Sequence, residues 1–208
     1  MIRVDMHVHS AASFDCVVEP ERMLARCRRI GLDRVFLTDH DTISAAVRMR
    51  ERESRAVVVG QEISTADGEL IGLFLERPVP RDLSADATAD RIKEQGGLVY
   101  LEHAYDRARR CLRAEAIERI ADRIDIVEVF NPRSGQEANG LAEDLCATLD
   151  AAAGAGSDAH RLQDIGCGFV EMEDFDGPQD FLCRLRRARV VRRPNQVLLM
   201  IRSRLARR

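Results

Sequence analysis

Tryptophan is absent from this 208-residue chain, and lysine occurs once, at Lys93. Seven phenylalanines and two tyrosines leave little aromatic surface. That counts against a platform for stacking long single-stranded nucleic acid. No run of 18 apolar residues occurs, which excludes a membrane-spanning helix, and membrane partners are not expected. The start, Met1-Ile2-Arg3-Val4-Asp5, is charged and lacks the apolar region of a signal peptide. The six cysteines (16, 27, 111, 146, 167 and 183) form no Cys-x-x-Cys pair. Scattered cysteines suit reduced thiols and a cytoplasmic location better than a disulfide framework or a zinc ribbon.

What the chain has is an uneven charge distribution and an economical use of histidine. Net charge is −3. Residues 181–208 hold ten arginines and no acid, so residues 1–180 hold 22 bases against 35 acids. A basic end of this kind can contact nucleic acid. Its apolar positions, Val197, Leu198, Met200, Ile201 and Leu205, favour a basic helical segment packed on a core. Length and a 45% hydrophobic content fit one domain spanning residues 1–208. No internal repeat, low-complexity tract or linker divides it.

Short β-rich runs alternate with helical patterns. Strands are expected at 2–8, 34–37, 57–59, 70–75, 98–101, 125–130, 151–156 and 167–170. Helices are expected near 20–30, 44–53, 84–95, 113–123, 136–150, 178–188 and 196–205. Pro20 and Gly31 punctuate the first helix, and Ser84 is placed to cap the third. Alternation of this kind indicates a parallel α/β architecture.

All five histidines lie in clusters with acidic residues. They are His7 and His9 in Asp5-Met6-His7-Val8-His9, His40 in Thr38-Asp39-His40-Asp41, His103 in Leu101-Glu102-His103, and His160 in Asp158-Ala159-His160. Imidazole and carboxylate together are ligands for borderline and hard divalent ions. Each cluster falls at the carboxyl end of a strand run, where α/β barrels gather their sites. Clusters after at least five strands favour closure into a barrel over an open sheet, which collects ligands near one switch point.

Each cluster also has a plainer reading. An isolated His-x-His is common, but here it closes a strand and precedes Ser10, Ser13 and Asp15. Asp41 or Thr42 could merely cap the next helix, which leaves His40 unexplained. Glu62 follows Val57-Val58-Val59, so its two oxygens could bridge two ions. Glu69 follows Gly68 in a turn, where a solvated carboxylate is also ordinary. Arg133, in Phe130-Asn131-Pro132-Arg133, could be a solvated loop residue or a phosphate grip.

In order, the motifs Asp-x-His-x-His-Ser, Thr-Asp-His-Asp, Gly-x-Glu-Ile and Gly-Ser-Asp-Ala-His resemble the polymerase and histidinol phosphatase (PHP) domain family, over residues 5–160. The resemblance implies a distorted (βα)7 barrel that binds two to three divalent ions, manganese, iron or zinc, and hydrolyses phosphoesters. By the same resemblance His7, His9, Glu62 and Asp158 would hold one ion. Glu62 would bridge to a second ion that also takes His103, Asp15, His40 and His160 would hold a third, and Glu69 would be a further ligand. Glu69 stands where many relatives have histidine, a swap that shifts preference from zinc toward manganese or iron. His40, Asp158 and His160 are the expected catalytic residues. Arg133 and Asn131 are the expected contacts to a small phosphorylated substrate.

Three alternatives accompany this reading. Short oligonucleotides or nucleic-acid ends are an alternative substrate class. A non-catalytic regulatory PHP module is another reading. An amidohydrolase would also open on His-x-His, but commonly uses a carbamylated lysine, and the sole lysine lies in an expected helix.

Overall fold

The computed structural model describes residues 1–193. Strands β1 (Ile2–Val8), β2 (Arg34–Leu37) and β3 (Val57–Thr65) pair in parallel. Parallel neighbours need crossovers, supplied by α1 (Pro20–Ile30) and α2 (Ser44–Arg52). Pro20 opens α1 at a position where its missing N–H costs nothing. Gly31 stops α1 in the left-handed conformation, φ 75°. The buried face of α1 is Met23, Leu24 and Cys27.

The chain then departs from an all-parallel order. β4 (Gly68–Leu73) runs antiparallel to β3 and to β5 (Leu98–Leu101). Only two residues, Ala66 and Asp67, join β3 to β4, and so short a loop can make only an antiparallel pair. Gly68 has φ 138°, and a Cβ there would lie 2.5 Å from the Cys111 carbonyl oxygen. Parallel order resumes with β5, β6 (Ile126–Phe130) and β7 (Ala152–Ala155). The connections are α4 (Ala114–Arg119), a short 3-10 turn, and α5 (Gln136–Thr148), while α3 (Ala85–Lys93) precedes β5. Ser84 caps α3 as expected, its side chain accepting from Ala87 N.

β1 to β7 form a nearly closed, barrel-like sheet. Past β7, residues 156–159 run alongside β1: Asp158 N donates to His7 O at 2.7 Å, and His9 N to Ala159 O at 3.1 Å. Gly156 permits this approach, since a Cβ there would fall 2.2 Å from His7 Cβ. β8 (Gly168–Met172) adds antiparallel to the start of β1 on the same edge, opposite β2, and β9 (Arg189–Arg192) to β8.

Two apolar layers hold the fold. Inside the barrel, Val4, Met6, Phe36, Ile71, Leu98, Tyr100 and Ile126 pack together. α6 (Gly177–Leu185) closes the end where the strands begin, setting Phe181 5.0 Å from Phe36. Outside, Met23, Leu24, Met49, Ile92 and Ile117 seat the helices on the sheet. The opposite rim, at the carboxyl ends of the strands, is left to polar residues.

The basic end is only partly helical within the described residues. α6 ends at Leu185, and residues 189–192 are a strand, because Val190 pairs with Val170 and Val191 with Phe169. The helix expected at 196–205 lies outside the described residues.

Candidate metal centre

His7 and His9 leave the end of β1 with their Nε2 atoms 3.1 Å apart. Both nitrogens face one oxygen of Glu62, at 2.9 and 3.0 Å. Asp158 Oδ1 lies 3.8 Å from the first nitrogen and 3.6 Å from the second. Protons alone serve this triangle badly. An ionised carboxylate only accepts, so two donating nitrogens would turn their N–H groups on each other. A cation among these atoms satisfies all of them, and the donor set is one that borderline divalent ions take.

A second group shares Glu62. Its other oxygen lies 3.2 Å from His103 Nε2. Glu102 joins Glu62 and His103 with ligand atoms all within 4.8 Å of one another. The hairpin brings in Glu69, which forms a similar group with His40 and Glu62. Glu69 Oε1 lies 4.0 Å from His40 Nδ1. Among the described residues, His40 Nδ1, Glu102 Oε1 and His103 Nδ1 are buried without a hydrogen-bond partner. Buried polar atoms are normally satisfied, so three such atoms around these groups fit residues that hold metal ions.

The third group is His9, Asp15, His40 and His160. Asp15 Oδ2 lies 2.8 Å from His160 Nε2 and 3.5 Å from His40 Nε2. The ring of His9 stacks on that of His160, centroids 4.2 Å apart. All nine expected ligands therefore stand on one rim of the barrel. His103 and Asp158 do so with positive φ, 29° and 49°. Such conformations cost energy and persist where the surroundings enforce them, as functional sites do.

The electrostatics match an acidic cage. Burial alone would push the Asp158 carboxyl up. His7, Arg109, His9 and Arg133 outweigh it and hold Asp158 well below the usual carboxylate range. Glu62 behaves likewise, with His7 the leading opponent of desolvation. Burial raises Glu102 strongly, and raises Glu69 with help from the charge of Glu62. Desolvation opposes charge on His103, but the hydrogen bond and charge of Glu62 raise it to about 9.

A layer of residues behind the ligands fixes their orientation. Glu128 Oε1 meets His7 Nδ1 at 3.1 Å and accepts from the Tyr100 hydroxyl at 3.0 Å. Its Oε2 accepts from His103 N at 3.0 Å and from Asn131 Nδ2 at 2.9 Å. Ser13 Oγ meets His9 Nδ1 at 3.2 Å, accepts from His40 N at 2.9 Å and donates to Asp39 at 3.2 Å. Such partners set the tautomer and basicity of a ligating imidazole. Asp41 does not cap α2; it accepts from Ser64 N at 2.8 Å and ties β3 to the loop carrying His40.

Glu128 and Arg109 are absent from the sequence expectations. Glu128 had a signal, as the one charge inside Ile126-Val127-Glu128-Val129-Phe130. Arg109, whose Nη1 lies 2.6 Å from Asp158 Oδ2, sits in a loop with no local pattern.

A cavity of about 1010 Å³ opens over the centre, lined by Phe14, His40, Glu62, Glu69, His160 and by Arg109, Arg110, Arg133 and Arg161. Arg133 Nη1 reaches the Asp158 carbonyl oxygen at 3.1 Å and His160 Nδ1 at 2.5 Å. Asn131 is buried beneath; its side chain donates to Glu128 and Asp158 and accepts from Arg133 N at 2.9 Å. It therefore acts on Arg133 and Asp158, without facing the cavity. Phe14 is 84% exposed, its ring 5.0 Å from that of His40.

Comparison with known proteins bears on this arrangement. Protein MJ1587 of Methanocaldococcus jannaschii is 38% identical over 144 residues, 62% of this chain and 82% of the relative. The 5'-3' exoribonuclease Rnm of Salmonella typhimurium is 32% identical over 106 residues, 46% of this chain and 36% of that protein. Among solved structures, a two-domain protein of Bacteroides vulgatus containing a predicted PHP-like metal-dependent phosphoesterase superposes with a TM-score of 0.74. That match has 20% identity and covers 92% of this chain and 65% of the other. The PHP-associated family model matches residues 136–190. With the PHP domain model matching residues 5–124, and with its histidines and carboxylates gathered on one barrel rim, this chain belongs to the PHP domain family.

Proposed function

We propose that this protein is a metal-dependent hydrolase of small phosphate esters, a phosphorylated metabolite or nucleotide. The observation that carries the reading is the pairing of an acidic ligand cage with an arginine-lined cavity. Loaded with cations, the cage has its carboxylate charge offset and lies beneath Arg109, Arg110, Arg133 and Arg161, with Asp106 and Asp164 also on the wall. A phosphate dianion is the ligand such a pocket receives, and arginine's planar fork matches two of its oxygens.

Two to three ions, manganese, iron or zinc, would be held by His7, His9, Glu62 and Asp158, by Glu62 and His103, and by Asp15, His40 and His160, with Glu69 a further ligand. When bound, they would supply Lewis acidity and a water that ionises near neutral pH. The chain's own residues position the reaction. His40 and His160 line the approach to the ester, Asp158 lies buried beside them, and Arg133 grips the ester from the side of His160. Asn131 keeps Arg133 in place through its backbone N.

An amidohydrolase of the carbamylated-lysine type is not supported. Lys93 lies on α3 and pairs with Asp125 at 2.6 Å. A second reading, release of nucleotides from nucleic-acid ends, draws on the exposed ring of Phe14 beside His40, a face on which one terminal base could stack. Manganese-loaded protein assayed for phosphate release from a panel of phosphomonoesters, and for shortening of short oligonucleotides, tests both. Turnover of monoesters supports the first reading, and shortening of oligonucleotides the second. Metal-loaded protein that hydrolyses neither ends the proposal.

A further inference from the structure

Glu102 stands in the centre with no role in the reading above. It is fully buried and follows the last residue of β5. One oxygen, Oε2, accepts from Ile71 N at 3.0 Å. The other, Oε1, has no partner. A buried carboxylate oxygen left bare is costly unless a proton or a cation completes it, and the Glu62 and His103 ligand atoms beside it are those of a cation site.

Consecutive residues on a strand point to opposite faces. Glu102 and His103 nevertheless both bring ligand atoms within 4.8 Å of Glu62. The strand has ended at Leu101, and the φ of 29° at His103 turns the chain there. The neighbouring atom His103 Nδ1 is also buried without a partner.

We propose that Glu102 is a direct ligand of the second ion and shifts the preference of that position from zinc toward manganese. The donors there become the carboxylates of Glu62 and Glu102 with the imidazole of His103, while Glu69 approaches Glu62 from the side of His40. Carboxylate-rich sets suit manganese, whereas zinc favours sets richer in nitrogen and sulfur at low coordination number. Glu102 adds a second carboxylate, beside Glu62, to the position of His103.

The inference rests on the metal-dependent reading, but not on the substrate. Metal-free protein is titrated separately with Mn2+ and with Zn2+, in the wild type and in Glu102→Gln, with folding checked by circular dichroism. The amide keeps the size of the side chain and an oxygen for Ile71 N. The variant is expected to lose about 100-fold in Mn2+ affinity at one site and about tenfold or less in Zn2+ affinity, within the range for loss of one group at a metal centre. No change, an equal change for both ions, or a larger loss of zinc overturns it. Should the variant not fold, anomalous scattering from wild-type crystals soaked in Mn2+ decides. An ion coordinated by Oε1 supports the inference, and no ion there overturns it. Wild-type protein that binds Mn2+ through Glu102 but releases no phosphate would leave this inference standing and end the phosphoesterase proposal.

Discussion

Glu128 holds His7 from behind: its Oε1 meets His7 Nδ1 at 3.1 Å, on the ring edge opposite the Nε2 that faces Glu62 at 2.9 Å. That arrangement fixes the proton on Nδ1 and turns the Nε2 lone pair toward the ion position. Glu128→Gln places an amide where the Tyr100 hydroxyl, His103 N and Asn131 Nδ2 converge. We expect metal affinity to fall about 10- to 100-fold, as loss of such supporting partners does. Metal content after dialysis, measured by mass spectrometry, checks this. A variant that retains its full complement would show that His7 is not oriented through Glu128.

Glu62 lies between the groups. One oxygen meets His7 and His9, the other His103. Glu62→Gln should lose ions from two positions at once and lower kcat by on the order of 10² or more, as removal of a group acting in the transition state does. The fold should survive, because the barrel interior of Met6, Phe36, Ile71 and Tyr100 is untouched. Near-wild-type turnover would remove Glu62 from the bridging role.

Much of this centre was legible in the sequence, for a physical reason. Ligands at strand ends are local: each histidine lies beside its carboxylate and directly after an apolar run. The turn before Glu69 was legible too, because Asp67-Gly68 is short-range turn chemistry. Three things were not. Arg109 reaches Asp158 across 49 positions of sequence, and no local pattern encodes so long a contact. The conversion of 189–192 into an edge strand depends on pairing with β8, not on its arginine-rich composition. The positive φ at His103 and Asp158 is imposed by tertiary closure; aspartate and histidine tolerate that conformation better than most residues but do not by themselves announce it.

Protons and ions compete for the same atoms, which sets a pH dependence. In the metal-free fold the His103 imidazole is raised from 6.5 to about 9, with Glu62 overcoming desolvation. A raised folded-state value stabilises the fold fully below the unfolded value, and the contribution is lost as pH rises through the folded one. Thermal melts of metal-free protein should therefore fall between about pH 6.5 and 9. Metal affinity should move the other way. An ion displaces the proton, so apparent affinity should rise up to about pH 9 and level above it. Calorimetric titration at stepped pH checks the second half; an affinity independent of pH would show that His103 gives up no proton to the ion.

Closure of the barrel and construction of the site meet at Gly156. An added Cβ would lie 2.2 Å from His7 Cβ and 2.6 Å from His7 N, distances that real contacts do not reach. The obstacle includes strand backbone, so a rotamer change cannot relieve it. To accept alanine, residues 156–159 must move off β1. That breaks the bonds from Asp158 N to His7 O and from His9 N to Ala159 O. Gly156→Ala should therefore cost about 1–3 kcal/mol or more of stability, the range for overpacking. It should also weaken metal binding, because Asp158 leaves with the backbone. Gly140→Ala is the control. That glycine lies in α5 with nothing within 4 Å of an added Cβ, and the change should raise helix stability by roughly 0.5–1 kcal/mol. Melting temperatures and metal content of the two variants, measured side by side, separate the effects. A Gly156→Ala protein that melts with the wild type and keeps its ions would mean that the approach of residues 156–159 to β1 does not build the site.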